Sequence, residues 1–146
     1  MLFRSDTVPP TYGVRSAQIF FGGGANTELT EPKQYVAVEP NQSYRFHAYL
    51  RTESISTEMG LRFLITDPNH LNAVRVITEN FTGTHPWTAT DANVVAGPQT
   101  HFLLVQLHRE QSRMFDNKLS GTVWIADVTL TPSELSADPA AEMKPR

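Results

Sequence analysis

Gly121-Thr-Val-Trp-Ile-Ala-Asp-Val-Thr-Leu-Thr-Pro132 is the stretch whose reading decides the fold. It reads as a strand opened by glycine and closed by proline, the last in a chain of such strands, and it carries an acid, Asp127, where the core should be finishing. Working back from it, strand signals recur at close spacing between Gly, Pro, Asn and Asp. They are expected near Ser16 to Phe21, Lys33 to Val38, Tyr44 to Arg51, Gly60 to Thr66, Ala73 to Phe81, Asn93 to Val95, Thr100 to His108 and Thr122 to Leu130. Helix is almost absent from the pattern, so the fold class is all-β, a sandwich of two antiparallel sheets or a barrel rather than alternating βα units.

The alternation inside the strands assigns their faces, because successive side chains on a strand point to opposite sides. Tyr44, Phe46, Ala48 and Leu50 alternate with Arg45, His47, Tyr49 and Arg51. Leu61, Phe63 and Ile65 alternate with Arg62, Leu64 and Thr66, and Val74 and Val76 with Arg75 and Ile77. The apolar sets belong to the core. If these strands are neighbours, their polar sets stack arginines, a tyrosine and a histidine on one outer surface.

The 146 residues suit one domain, whose core needs no covalent staple. There is no cysteine, which excludes a disulfide framework, thiol catalysis and thiolate metal sites. A formal charge of −3 supplies no basic field for many phosphates, so neither nucleic acid nor an anionic membrane is an expected partner. No apolar run of about 18 residues suggests a membrane span, and charge enters Met1-Leu-Phe-Arg-Ser-Asp6 too early for a secretory leader. The module is expected over residues 1–132. The stretch to Tyr12, with its Val8-Pro-Pro10 turn, reads as irregular, and residues 133–146, rich in Ala, Pro, Glu and Ser, read as a linker or disordered tail.

Catalytic signatures are missing. Gly22-Gly-Gly24 follows a strand, but neither a helix start nor a P-loop lysine comes after it. The five histidines show no His-x-x-x-His pair, which leaves only a cross-strand role for His101 or His108 as a zinc ligand. Glu39, Glu53, Glu79, Glu110 and Asp127 read as loop or strand-end charges rather than a glycosidase pair, and no Gly-x-Ser-x-Gly elbow occurs. Asn41-Gln-Ser43 and Asn80-Phe-Thr82 match the glycosylation triplet, a pattern common by chance. Trp87 serves either as a plate for a sugar ring or as a cap on one end of the core.

One resemblance runs diffusely from about Gly13 to Pro132. Gly13-Val-Arg-Ser-Ala-Gln-Ile-Phe-Phe21, Gln34-Tyr-Val-Ala-Val38, Pro40-Asn-Gln-Ser-Tyr44 leading to Arg51, Gly83-Thr-His-Pro-Trp87 and Gly121 to Leu130 together resemble carbohydrate-binding modules of the family 4, 9 and 22 type. That resemblance implies a galactose-binding-like jelly roll, accessory to a catalytic domain in a parent protein and extracellular or periplasmic, that binds a poly- or oligosaccharide and is not itself an enzyme. It also implies a structural calcium held through Asp127 and an acid on an earlier N-terminal strand. Here Ala126 stands where relatives carry an acid, and the chain reads as starting after that strand, so any calcium is expected to be weak and no cofactor to be required. The ligand is expected across the face of His47, Tyr49, Arg51, Arg62 and Arg75 with Gln106 and His108, centred on Tyr49 and Arg51, with Trp87 as a further contact. A structural or adhesion module and a small glycan hydrolase or lyase are the alternatives. The first requires its arginines closed into salt bridges, the second a deep pocket with a raised-pKa group.

Overall fold

The computed structural model describes residues 2–7, 15–70 and 72–133, with side chains from residue 17 onward. Among the described residues nine strands form two sheets: β1 (Leu2–Thr7), β2 (Arg15–Gly22), β3 (Lys33–Ala37), β4 (Ser43–Ile55), β5 (Arg62–Thr66), β6 (Arg75–Ile77), β7 (Gly83–Val95), β8 (Phe102–His108) and β9 (Ser120–Pro132). The five-stranded sheet has the order β1-β2-β9-β4-β7 and the four-stranded sheet the order β3-β8-β5-β6. Every pairing is antiparallel. Among the described residues there is no helix, and hence none long and apolar enough to cross a membrane.

The core lies between the sheets, built from the apolar half of each alternation. Tyr44, Phe46, Ala48 and Leu50 of β4 face Phe63 and Ile65 of β5 and Leu103, Val105 and Leu107 of β8. The rings of Phe46 and Phe63, 5.1 Å apart, join one sheet to the other. Burying a side chain of this size contributes about 1.5–3 kcal/mol.

Two bends shape β9. Gly121 has φ +112°, and a Cβ there would stand 2.5 Å from the Ser54 carbonyl oxygen, so only glycine lets β9 begin against β4. At Asp127, φ is +51° and the register moves from Tyr49↔Ala126 to His47↔Thr129, a bulge that an aspartate tolerates in the left-handed region.

Two expectations are corrected. The N-terminal stretch is not wholly irregular, because Leu2–Thr7 pairs along β2 as the sheet's outer strand. β7 runs from Gly83 rather than Asn93. It is an edge strand, where Pro86 removes no ladder bond that a neighbour needs, and that is why a proline-containing segment sits in a sheet. Ser133, the first residue of the expected tail, donates its amide to the Ser43 carbonyl at 2.9 Å. The remainder of that tail lies outside the described residues.

Candidate functional site

The connections β2–β3, β3–β4, β4–β5, β6–β7, β7–β8 and β8–β9 each pass from one sheet to the other. β4 and β5 are therefore not neighbours. The expected single polar face divides in two: His47, Tyr49, Arg51 and Trp87 lie on the five-stranded sheet, and Arg62, Arg75, Gln106 and His108 on the four-stranded sheet.

On the five-stranded sheet the polar side chains of β4 engage one another. His47 Nδ1 lies 2.7 Å from Asp91 Oδ1, and Arg45 Nη2 lies 3.4 Å from the same oxygen. The hydrogen bond from His47 is the largest influence on the Asp91 carboxyl and, with Arg45, holds it below the ordinary carboxylate value against the opposing effect of burial. Tyr49 meets the His47 ring edge-on at 4.9 Å, and the Arg51 guanidinium stacks 4.5 Å from the Trp124 ring centre. Trp87 sits at a bulge of β7, half-buried, and its indole N–H is buried without a hydrogen-bond partner. Tyr49 and Arg51 are thus already partnered inside the protein.

The outward side of the four-stranded sheet is built differently. Register lays its residues in rows across the strands: Arg62 beside His108, then Ile77, Leu64, Gln106 and Lys33, then Arg75, Thr66, Leu104 and Tyr35, and last Phe102 beside Ala37. Leu64 and Gln106 are only 8% and 9% exposed although they point away from the core, so they form a recessed floor. Tyr35 and Phe102 are 57% and 46% exposed. The register makes them diagonal neighbours, whose side chains root about 7–8 Å apart. Among the described residues, no hydrogen bond or ion pair engages the side chains of Lys33, Arg62, Arg75 or Gln106. His108 has both ring nitrogens buried without a hydrogen-bond partner, the nearest charge being Glu110 Oε2 at 3.7 Å from Nε2.

This face is braced from beneath. Asp67, at the end of β5, accepts hydrogen bonds from the Thr100 hydroxyl at 2.7 Å and from the amides of Asn69 and His70 at 2.8 and 3.0 Å; the His70 ring stands 3.0 Å from its other oxygen. Burial alone raises its pKa, but these bonds outweigh that and hold it below the ordinary value. The cluster ties the β5–β6 turn to the start of β8, fixing Arg75 relative to Phe102.

Tyr35 and Phe102 are exposed rings of this face that sequence reasoning did not single out. A signal existed in both: Tyr35 alternates with Val36 and Val38, and Phe102 with Leu103 and Val105, which places each ring opposite the core set. A cleft of about 300 Å³ also opens between β3 and β9, lined by Val36, Phe46, Phe63, Val105 and Leu130 together with the polar Lys33, Gln34, Gln106 and Thr129. The expected metal ligand, Asp127, sits on the β9 bulge. Among the described residues no group of three or more His, Cys, Asp or Glu converges as a metal site. β1 does bring Asp6 into register with Ser16, which in turn pairs with Ala126, the neighbour of Asp127.

Solved structures share this fold. The chain has the fold of a carbohydrate-binding module. It is similar to a CBM4 structure with TM-score 0.58 and 14% identity over 90% of this chain and 78% of that one. It is similar to a family 16 carbohydrate-binding module with TM-score 0.57 and 19% identity over 88% and 86%. A third likeness, with TM-score 0.53 and 11% identity over 93% of this chain and 25% of the other, is to Clostridium thermocellum endo-1,4-β-D-xylanase 10B, whose CBM22-1 and GH10 modules are complexed with xylohexaose. No family model and no curated protein matches the sequence. At these identities the likeness is one of fold, and any ligand must be argued from this chain's own faces.

Proposed function

We propose that the protein is a non-catalytic carbohydrate-binding module that holds a poly- or oligosaccharide against the outward face of the four-stranded sheet, beside a neighbouring catalytic domain in an extracellular or periplasmic parent protein. The observation that carries this reading is the pairing of two exposed rings, Tyr35 and Phe102, with a floor and rim of unengaged planar donors, Gln106, Arg62 and Arg75. Rings supply apolar area to sugar C–H groups, and amide and guanidinium groups supply fixed donors to hydroxyls. The five-stranded face is the weaker candidate, since its arginines and histidine are committed to Asp91 and Trp124.

A glycosidase acid needs a raised pKa in a cleft. Hydrogen bonds instead hold the Asp67 and Asp91 carboxyls below the ordinary value, and neither lines the cleft between β3 and β9, which argues against either as that acid. An adhesion module with its arginines closed into salt bridges describes Arg45 but not Arg62 or Arg75.

Calorimetric titration of the full chain against a panel of soluble polysaccharides tests the reading. Tyr35→Ala and Phe102→Ala should each weaken the best binder by about 1–3 kcal/mol, roughly five- to 150-fold, while Tyr49→Ala leaves it within about two-fold. Equal loss from Tyr49→Ala with no loss from Tyr35→Ala moves the site to the other sheet, and no binding by the folded parent to any glycan refutes the function.

A further inference from the structure

We infer that the ligand of the four-stranded face is an anionic glycan, a polymer bearing uronate carboxylates. The inference rests on the sheet-face reading above and names its substrate class. Three cations, Lys33, Arg62 and Arg75, occupy outward positions of this sheet, and no Asp or Glu occupies any outward position of its four strands. That segregation stands out in a chain of net charge −3, whose carboxylates outnumber its lysines and arginines. Acids lie beyond the strand ends instead: Glu110 follows β8 beside His108, and Asp67, already engaged by Thr100 and His70, follows β5. On the opposite face Arg45 has its Asp91, while Arg62 and Arg75 have no acidic partner among the described residues.

The cations are spaced along a chain rather than gathered into a pocket. Arg75 registers with Thr66, four residues from Arg62 on β5, so the two arginines are separated by about 13 Å along the strand direction. Lys33 lies in the row between them, at the β3 edge, with Leu64 and Gln106 as the recessed floor. An extended polymer crossing that floor meets a guanidinium near each end and an ammonium at the side, while Tyr35 and Phe102 lie under a ring plane. A guanidinium fork matches a carboxylate in two parallel hydrogen bonds, a geometry that a neutral hydroxyl cannot reciprocate. Three cations are too few to carry affinity for a phosphate backbone by counterion release, and the exposed rings have no use in a purely electrostatic contact.

The test compares one polymer with itself. The full-length protein is titrated with polygalacturonate and with the same polymer after carboxyl reduction, at about 20 mM and about 300 mM salt, with dextran sulfate and duplex DNA as other polyanions. The uronate form should bind at least about ten-fold tighter than the reduced form at low salt, and that advantage should shrink at high salt. The Arg62→Gln/Arg75→Gln double variant, confirmed folded by circular dichroism, should lose the preference, binding the uronate and reduced forms within about two-fold of each other. Reduced polymer bound as tightly as the uronate overturns the inference and leaves the glycan-binding reading standing. Dextran sulfate or DNA bound as tightly as the uronate also overturns it, as contact with any polyanion. Binding to neither form, nor to any neutral glycan, removes the sheet-face reading as well.

Discussion

Arg109 is 0% exposed, and replacing it tests how the loops at one end of the sandwich are held. Its Nε donates to the Met59 carbonyl at 2.7 Å, Nη1 to Asn26 Oδ1 at 3.2 Å and the Thr27 carbonyl at 2.5 Å, and Nη2 to Thr57 Oγ1 at 3.0 Å and the Asn117 carbonyl at 3.4 Å. These acceptors belong to the β2–β3, β4–β5 and β8–β9 connections, so one side chain joins three loops. Burial pushes its pKa down, opposed by Glu58, which means the charge is held at a desolvation cost that only a full set of acceptors offsets. Each hydrogen bond to a charged group is worth roughly 1.5–3 kcal/mol, but the five share one guanidinium and do not add. Arg109→Met keeps much of the apolar stem and leaves the acceptors unpaired, so the expected loss is about 3–5 kcal/mol.

For a domain of this size that loss lowers the thermal midpoint by about 10–20 °C. Arg109→Lys keeps a charge but cannot span five acceptors, and should recover less than half the loss. The assay is urea and thermal unfolding followed by circular dichroism. Arg109→Met within about 1 kcal/mol of the parent refutes the idea that this residue organises the loops. Because Arg109 points inward while His108 points outward, glycan affinity of the folded fraction should be unchanged below the midpoint.

Two further outcomes follow from the same geometry. Asp67 and Asp91 hold their protons more weakly folded than unfolded, so the unfolded chain takes up more protons in acid; the stability they supply is complete well above the ordinary value of 3.8 and is lost as pH falls below it. Unfolding midpoints should drop steeply between about pH 5 and pH 2.5, with a shallower slope in Asp67→Asn, and a flat profile in the parent contradicts the assignment. For calcium, the expectation that Ala126 in place of an acid leaves any site weak means that a chelator should move the melt by less than about 2 °C; a larger fall shows that Asp127 and backbone carbonyls suffice.

Much of the fold was legible because alternation is a local property. The apolar series Tyr44, Phe46, Ala48, Leu50 and Leu61, Phe63, Ile65 name the core directly, and both series are buried. What alternation cannot carry is partnership. β4 and β5 are consecutive in sequence and lie in opposite sheets, because the chain crosses over between them, and β4 pairs instead with β7 and with β9, some 70 residues later. Edge strands were illegible for a related reason: β7 keeps few apolar residues and holds Pro86 because half of its ladder faces solvent.

The candidate site was half visible on the same grounds. Arg62, Arg75, Gln106 and His108 were found because each is a polar residue opposite an apolar series, and that signal survives wherever the strand is placed. Tyr35 and Phe102 carry the same alternation but are apolar themselves, so in one dimension each reads as more core. Only the pairing of Tyr35 with Leu104 and of Ala37 with Phe102 puts both rings on the outward side of one sheet. Arg51 is the converse case, since a polar residue opposite Leu50 looks free until Trp124, brought beside it by the β4–β9 register, occupies its guanidinium. Side-chain type and face are local, whereas whether a group is free to meet a ligand depends on its cross-strand partner, and in a sandwich of crossed-over strands that partner lies far along the chain.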